Sequence, residues 1–345
     1  MSVRDLLTLT PYGGLPMESP RQAAGHLLTF YPDAPAWPRT QGPRPQAAIV
    51  ADFLPLPGLV KTGRGVRLDR DADDPLLLAA LEQALDRGPY HPDFSFPQYV
   101  PHLDALAEGL SGLSGPVRMV KLQVPGMASL LSLPDRRGRP LRHFPQVTAT
   151  LFDFLAACLR RLLKPLRESR TPVWLQAEEP LLTAKHVDEL LREDTIRFYR
   201  SLAALADCPL GLSLHGLGKL PPLLKRVEQV GVFSFLVLDP HQYAGGEDTP
   251  DVLVNWLVSG VGRHAVLNVV DPLLMEQGHD PEAVEQVLNL LTALVFHLDS
   301  AFKAMERVLL CTGPEVGSMA VARAELAAIQ GMGVRNDLLR MVSLE

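Results

Sequence analysis

The stretch LGLSLHGLG, Leu210 to Gly218, sets the reading of the whole chain. Apolar residues run from Leu210 to Leu214, then stop on a lone histidine, His215, and loosen into Gly216-Leu217-Gly218. A short apolar run bounded by turn residues reads as a strand buried on both faces. Outward from it the same unit recurs. Strands are predicted at Val117 to Leu122, Pro172 to Gln176, Phe233 to Leu238, Ala265 to Val270 and Val308 to Leu310. Between them lie segments of helical period at Val147 to Leu163, Asp194 to Ala206, Leu220 to Val230, Pro281 to Leu298 and Ser318 to Ile329. The clearest is Pro281 to Leu298, with Asp280 placed to cap it, proline at the first helical position, and Val284, Val287, Leu288, Leu291 and Leu294 on one face.

Strands alternating with helices predict a parallel sheet with right-handed crossovers. Two earlier candidates, Leu6 to Leu9 and Ala47 to Phe53, bring the strands to eight. The expected fold is α/β: a (β/α)₈ TIM barrel filling a single domain over residues 1–345, with an elaborated N-terminal region. In that region PDAPAWPRTQGPRPQ and RGVRLDRDADDP are proline-rich or charged and read as long surface excursions.

A length of 345 residues and 47% hydrophobic content allow a large core. Thirty-three basic against 39 acidic residues, a formal charge of -6, gives no global attraction to phosphate backbones or anionic membranes, so nucleic acid is not an expected partner. No apolar run reaches the roughly 20 residues that span a bilayer, and the opening MSVRDLLTLTPYGG lacks the pattern of a signal peptide. A cytoplasmic protein is expected. Cys158, Cys208 and Cys311 have no paired spacing, so neither a disulfide framework nor a self-contained zinc knuckle is predicted.

In a barrel of this kind the chemistry sits in the loops that follow the strand C-termini. Five consecutive strands lead into groups that titrate or bind metal: Glu178-Glu179, His215, Asp239-Pro240-His241, Asp271 and Cys311. Each has a plainer reading. His215 is either a ligand or a histidine bonded to a carbonyl beneath the rim, and Cys311 is either a site thiol or an inert core cysteine. Asp239 and Asp271, each before proline, also suit turns. Glu178 and Glu179 are adjacent, so at most one of them faces the mouth; either also suits a helix N-terminus.

The run GGLPMESPRQAAGHLLTFYPDAPAWPRTQ, Gly13 to Gln41, resembles the opening of the catalytic barrel of cobalamin-independent methionine synthase, within the uroporphyrinogen decarboxylase and methionine synthase superfamily. DRRGRPL, AEEP, SLHGLG, LDPHQYA and LLCTG, in that order, are similar to further motifs of that family. The resemblance implies a zinc site with His215, Asp239 and Cys311 as ligands, substrate contacts from Gly13, Glu178, His241 and Tyr243, and catalytic carboxylates in Glu178 and Glu179. It also implies methyl transfer to a thiol of the homocysteine type, with a corrinoid protein as a candidate methyl donor.

The chain departs from the family at three places. Leu217 stands where a cysteine ligand belongs, Gly14 where a serine belongs, and Val124-Pro125-Gly126 replaces Thr-Gly-Pro. Leucine cannot coordinate a metal, so zinc is expected to bind weakly or not at all; His241 is either a substitute ligand or a surface histidine. Two further functions stay open: a non-catalytic, metal-free barrel that binds a small molecule or a protein, and a tetrapyrrole decarboxylase, whose N-terminal arginine motif is not visible here.

Overall fold

In a computed structural model the six strands read from the central and C-terminal sequence lie side by side in one parallel sheet. The structure describes residues 8–11, 14–15, 19–37, 39–40, 50, 58–62, 65–87, 100–113, 117–182, 184–214, 220–238, 249–268, 281–298 and 301–311. Its strands are β1 (Thr8–Thr10), β2 (Gly14–Leu15), β3 (Arg39–Thr40), β4 (Leu59–Thr62), β5 (Gly65–Leu68), β6 (Val120–Pro125), β7 (Val173–Glu178), β8 (Leu210–Ser213), β9 (Phe235–Leu238), β10 (His264–Asn268) and β11 (Val308–Cys311). Seven of them form the main sheet, in the order β1-β11-β10-β9-β8-β7-β6, every pair parallel. The pairs β2-β3 and β4-β5 stand apart.

Each strand of the main sheet has two buried faces with different partners. Residues such as Leu122, Leu175, Leu212, Leu236 and Leu310 pack outward into the main core. Their neighbours Met119, Trp174, Phe235, Val237, Val266, Leu309 and Cys311 pack against one another on the inside. Residues from β7, β9, β10 and β11, with Met119 just before β6, meet in this one inner cluster only if the sheet curls, and a long parallel sheet curls because its strands twist. The two sides of the curl approach closely: the Arg118 guanidinium, just before β6, donates to the Thr8 hydroxyl of β1 and to the Glu306 carbonyl. A closed eight-stranded hydrogen-bonded barrel is not seen among the described residues, so the sequence expectation holds as an α/β fold with a curled parallel sheet.

The N-terminal region corrects the sequence reading twice. Part of the proline-rich stretch expected at the surface is core, because Ala34, Ala36 and Trp37 have no exposed surface. Residues 33–37 run along β6: the Arg118 N–H donates to the Asp33 carbonyl, Lys121 N–H to that of Pro35, and Trp37 N–H to that of Lys121. Proline is tolerated there because an edge strand leaves half its N–H positions unpaired. The other stretch supplies β5 and then a turn tied by hydrogen bonds and ion pairs to residues 136–139. Of the predicted strand Ala47 to Phe53 only Val50 is described, and it is helical; the predicted helix Ser318 to Ile329 lies outside the described residues. No helix among the described residues is long and apolar enough to cross a membrane.

Gly211 is required by close approach. A Cβ at this position would fall 2.2 Å from the Phe235 ring, which lies against the backbone of β8. Gly211→Ala should therefore lower the unfolding free energy by about 1–3 kcal/mol through overpacking. A urea denaturation midpoint equal to that of the wild type would show that Phe235 does not occupy this place.

Candidate functional site

The inner wall changes character along the strands. At the N-terminal end it is aromatic: the Trp174 ring packs at a tilt against Phe235 and His264, with ring centroids 4.8 Å and 4.6 Å apart. Burial, with the positive charges of Arg118 and Arg307, pushes the His264 imidazole down to about 4, so at neutral pH it belongs to this apolar floor as a neutral ring.

Toward the C-terminal ends the wall turns polar. Alternation on β6 directs Lys121 and Gln123 inward, and on β7 it directs Gln176 and Glu178 inward above Trp174. Lys121, Gln123 and Gln176 have no exposed surface, and Glu178 is 2% exposed. Gln123 and Gln176 are register partners, and Glu178 sits between Pro125 and Ser213. The side-chain amides of both glutamines, and the Thr10 hydroxyl, make no hydrogen bond among the described residues. Leaving such groups unpaired costs about 1–3 kcal/mol each, so the wall is able to donate and accept hydrogen bonds toward a polar molecule in the lumen.

Cys311 closes β11 and also points inward without exposed surface. Its Sγ lies 3.5 Å from the Lys121 Nζ, across the lumen from β6. Of the residues expected at the site, Glu178 and Cys311 thus share the inner face near the C-terminal ends of their strands. His215, Asp239, His241, Tyr243 and Gly13 lie outside the described residues, as do Leu217 and Asp271.

Glu179 faces the opposite way, into the helix layer. Its Oε1 accepts from the Ala128 N–H at 3.0 Å and from the Tyr199 hydroxyl, and its Oε2 accepts from the Ser129 N–H at 2.6 Å. Tyr199 in turn accepts from the Met127 N–H at 3.2 Å, and Leu181 N–H donates to the Ser129 hydroxyl. Burial raises the Glu179 carboxyl above its ordinary range even though these donors pull it down. The carboxylate ties the end of β7 to the helix Met127–Ser132 that follows β6. Gly126 makes room for it, since a Cβ there would sit 2.2 Å from the Glu179 Cδ.

Lys121, Gln123 and Gln176 escape a strand-end search because they lie within strands. The signal available in the sequence was the alternation Val-Lys-Leu-Gln-Val in residues 120–124, but alternation normally means a half-solvated strand, and only the curl makes its polar face a lumen. The basic turn DRRGRP is built around Asp135, whose side chain is fully covered. Cys158 packs in the helix Pro145–Glu168, where burial pushes its thiol far up.

Comparison with known proteins adds one argument about the fold. No family model matches the chain, and no curated protein matches it in sequence. A glycoside hydrolase family 5 enzyme from Prevotella bryantii B14 covers 84% of this chain and 99% of its own at 9% identity, with a TM-score of 0.35, too low to bear on the architecture. A methyltransferase from Methanosarcina mazei is similar over 94% of this chain and 93% of its own, at 13% identity and a TM-score of 0.54, and at that identity the likeness shows a shared fold alone.

Proposed function

We propose that the C-terminal rim of the curled sheet, completing a (β/α)₈-type barrel, is a small-molecule site for methyl transfer to a thiol. The observation that supports this reading is the likeness, over nearly the full length, to the methyltransferase from Methanosarcina mazei. In this reading the acceptor sulfur attacks an electrophilic methyl carbon: the S–C bond forms while the leaving group departs with the bonding pair, and a corrinoid protein is the candidate donor. Glu178 holds a cationic group of the acceptor, Gln123 and Gln176 bond its polar atoms, and Gly13, His241 and Tyr243 line the pocket. Glu179 acts on the same turn as Glu178, as its support.

Zinc is the cofactor this reading calls for, with His215, Asp239 and Cys311 as ligands. The described donors do not make a zinc shell. Among the described residues no group of three His, Cys, Asp or Glu is placed to hold a metal, and the Cys311 sulfur has the Lys121 amine against it, whose charge when protonated repels a divalent cation. A second reading, a metal-free barrel that binds a small molecule or a partner protein without catalysis, is favoured by that contact and by Leu217.

Metal analysis separates the two. Purified chain is expected to carry zinc substoichiometrically, with His215→Ala or Cys311→Ala removing the remainder, and to methylate a homocysteine-type thiol when supplied with a methylcorrinoid. Full zinc occupancy that survives both substitutions would remove the ligand assignment. No zinc and no methyl transfer, even with excess metal and thiol, would leave the non-catalytic barrel.

A further inference from the structure

The contact between Lys121 and Cys311 joins residues 190 positions apart in the sequence. Their strands are not neighbours: β10, β9, β8 and β7 lie between β11 and β6 in the sheet. Both side chains start from strand backbone within the ladder and meet across the lumen, so their approach is set by the curl of the sheet and not by a loop. Neither has exposed surface, and nothing in the zinc-site reading gives Lys121 a task. Beyond the hydrogen bond itself, an amine held against a cysteine sulfur opens an oxidative chemistry: a sulfenic acid condenses with a backbone nitrogen to a sulfenamide, and an amine in contact with the sulfur is placed to attack it in the same way.

We infer that Lys121 and Cys311 form an oxidative crosslink, a sulfenamide that staples β6 to β11 through the lumen when the chain meets a peroxide. In the first step the Cys311 sulfur attacks one peroxide oxygen; the O–O bond breaks, the sulfur becomes a sulfenic acid, and the other oxygen leaves as water. In the second the Lys121 amine, in its unprotonated form, attacks that sulfur; the S–N bond forms, the S–O bond breaks, and the hydroxyl leaves with an amine proton as water. The sulfur is oxidised by two electrons, the peroxide is reduced by two, and the sum is one thiol, one amine and one hydrogen peroxide giving the crosslink and two waters. Peroxide, little larger than water, is the oxidant small enough for a sulfur without exposed surface at the last residue of β11.

The other two cysteines are internal controls. Burial pushes the thiols of both Cys158 and Cys208 up, and among the described residues neither has an amine against its sulfur as Cys311 has. The inference does not depend on methyl transfer, and its readout is a covalent mass.

The test uses the full chain treated with hydrogen peroxide, digested without reductant and analysed by mass spectrometry. The expected product is a peptide pair joining Lys121 to Cys311, two hydrogens lighter than the sum of its parts and separated again by a thiol reductant. Lys121→Arg should abolish the pair and raise the fraction of Cys311 that dimedone traps as sulfenic acid several-fold, while Cys158 and Cys208 stay reduced. Recovery of Cys311 from wild-type chain as an unreacted thiol, or as sulfinic acid with Lys121 unlinked, would overturn the inference.

Discussion

Glu179→Ala is expected to lower the unfolding free energy by about 3–5 kcal/mol, because it leaves several buried donors unpaired at roughly 1–3 kcal/mol each and opens a cavity. The loss has three parts. The N–H groups of Ala128 and Ser129 lose their acceptor, the Tyr199 hydroxyl loses its own, and the vacated volume lies against Gly126, which has no side chain to relax into it. Glu179→Gln keeps the volume and one acceptor oxygen but turns the other into a donor facing a donor, and should still cost about 1–3 kcal/mol. Urea unfolding of the two variants tests this. If both fall within 1 kcal/mol of the wild type, the carboxylate is not the clamp described here.

The pH dependence carries a definite sign. Burial is the largest influence on Glu179 and raises its carboxyl in the folded chain above the unfolded value of roughly 4.3. A raised acid binds its proton more tightly when folded. Its linked contribution is therefore fully present below the unfolded value and is lost as pH rises through the folded one. Substitution of Glu179 should remove this part of the stability profile while leaving the acid limb, which other carboxylates set.

Where the sequence was informative, one physical signal dominated. The helix Pro281–Leu298 is observed with the bounds its Asp280-Pro281 start and apolar stripe predict, and so is Leu220–Val230. The strands were found from their apolar runs, but the predicted Val117 to Leu122 lies three residues before the observed β6, because Gln123 ends the apolar run whose continuity marks a buried strand. That residue belongs to the polar wall of the candidate site. The strand-end rule led to Glu178 and Cys311, whose positions follow from where a strand stops. It gave no hint of Lys121, whose meeting with Cys311 depends on the curl of the whole sheet. Residues 33–37 were illegible for a related reason: Pro35 argues against a strand everywhere except at an edge, and edge position is a property of the sheet.

The turn that follows the Met127–Ser132 helix supplies the second large effect. Asp135 accepts hydrogen bonds from the backbone N–H groups of Ala72 at 3.3 Å, Arg137 at 2.9 Å and Arg139 at 2.8 Å, and from the Arg139 Nε at 2.8 Å. Two of these close the turn on itself, with Gly138 at a φ of +77° that a side chain would strain. The bond from Ala72 ties the turn to the segment after β5, and the Leu68 N–H reinforces it by donating to the Pro134 carbonyl. Asp135→Ala strands three backbone donors at once and should cost about 2–4 kcal/mol. The ion pair with Arg139 adds little to that figure, since the arginine is partly exposed and screened. Burial alone would raise the Asp135 carboxyl, but the backbone donors and Arg139 together hold it below the ordinary carboxylate range. The sign is then opposite to that of Glu179: the contribution is present above the unfolded value and is lost as pH falls through the folded one. Asp135→Asn keeps one acceptor and no charge, so it should lose less stability than alanine at pH 7 and show a flatter acid limb than the wild type. An acid limb unchanged in both variants, measured by thermal unfolding from pH 7 downward, would show that Asp135 is not ionised against these donors and that the turn is held by something else.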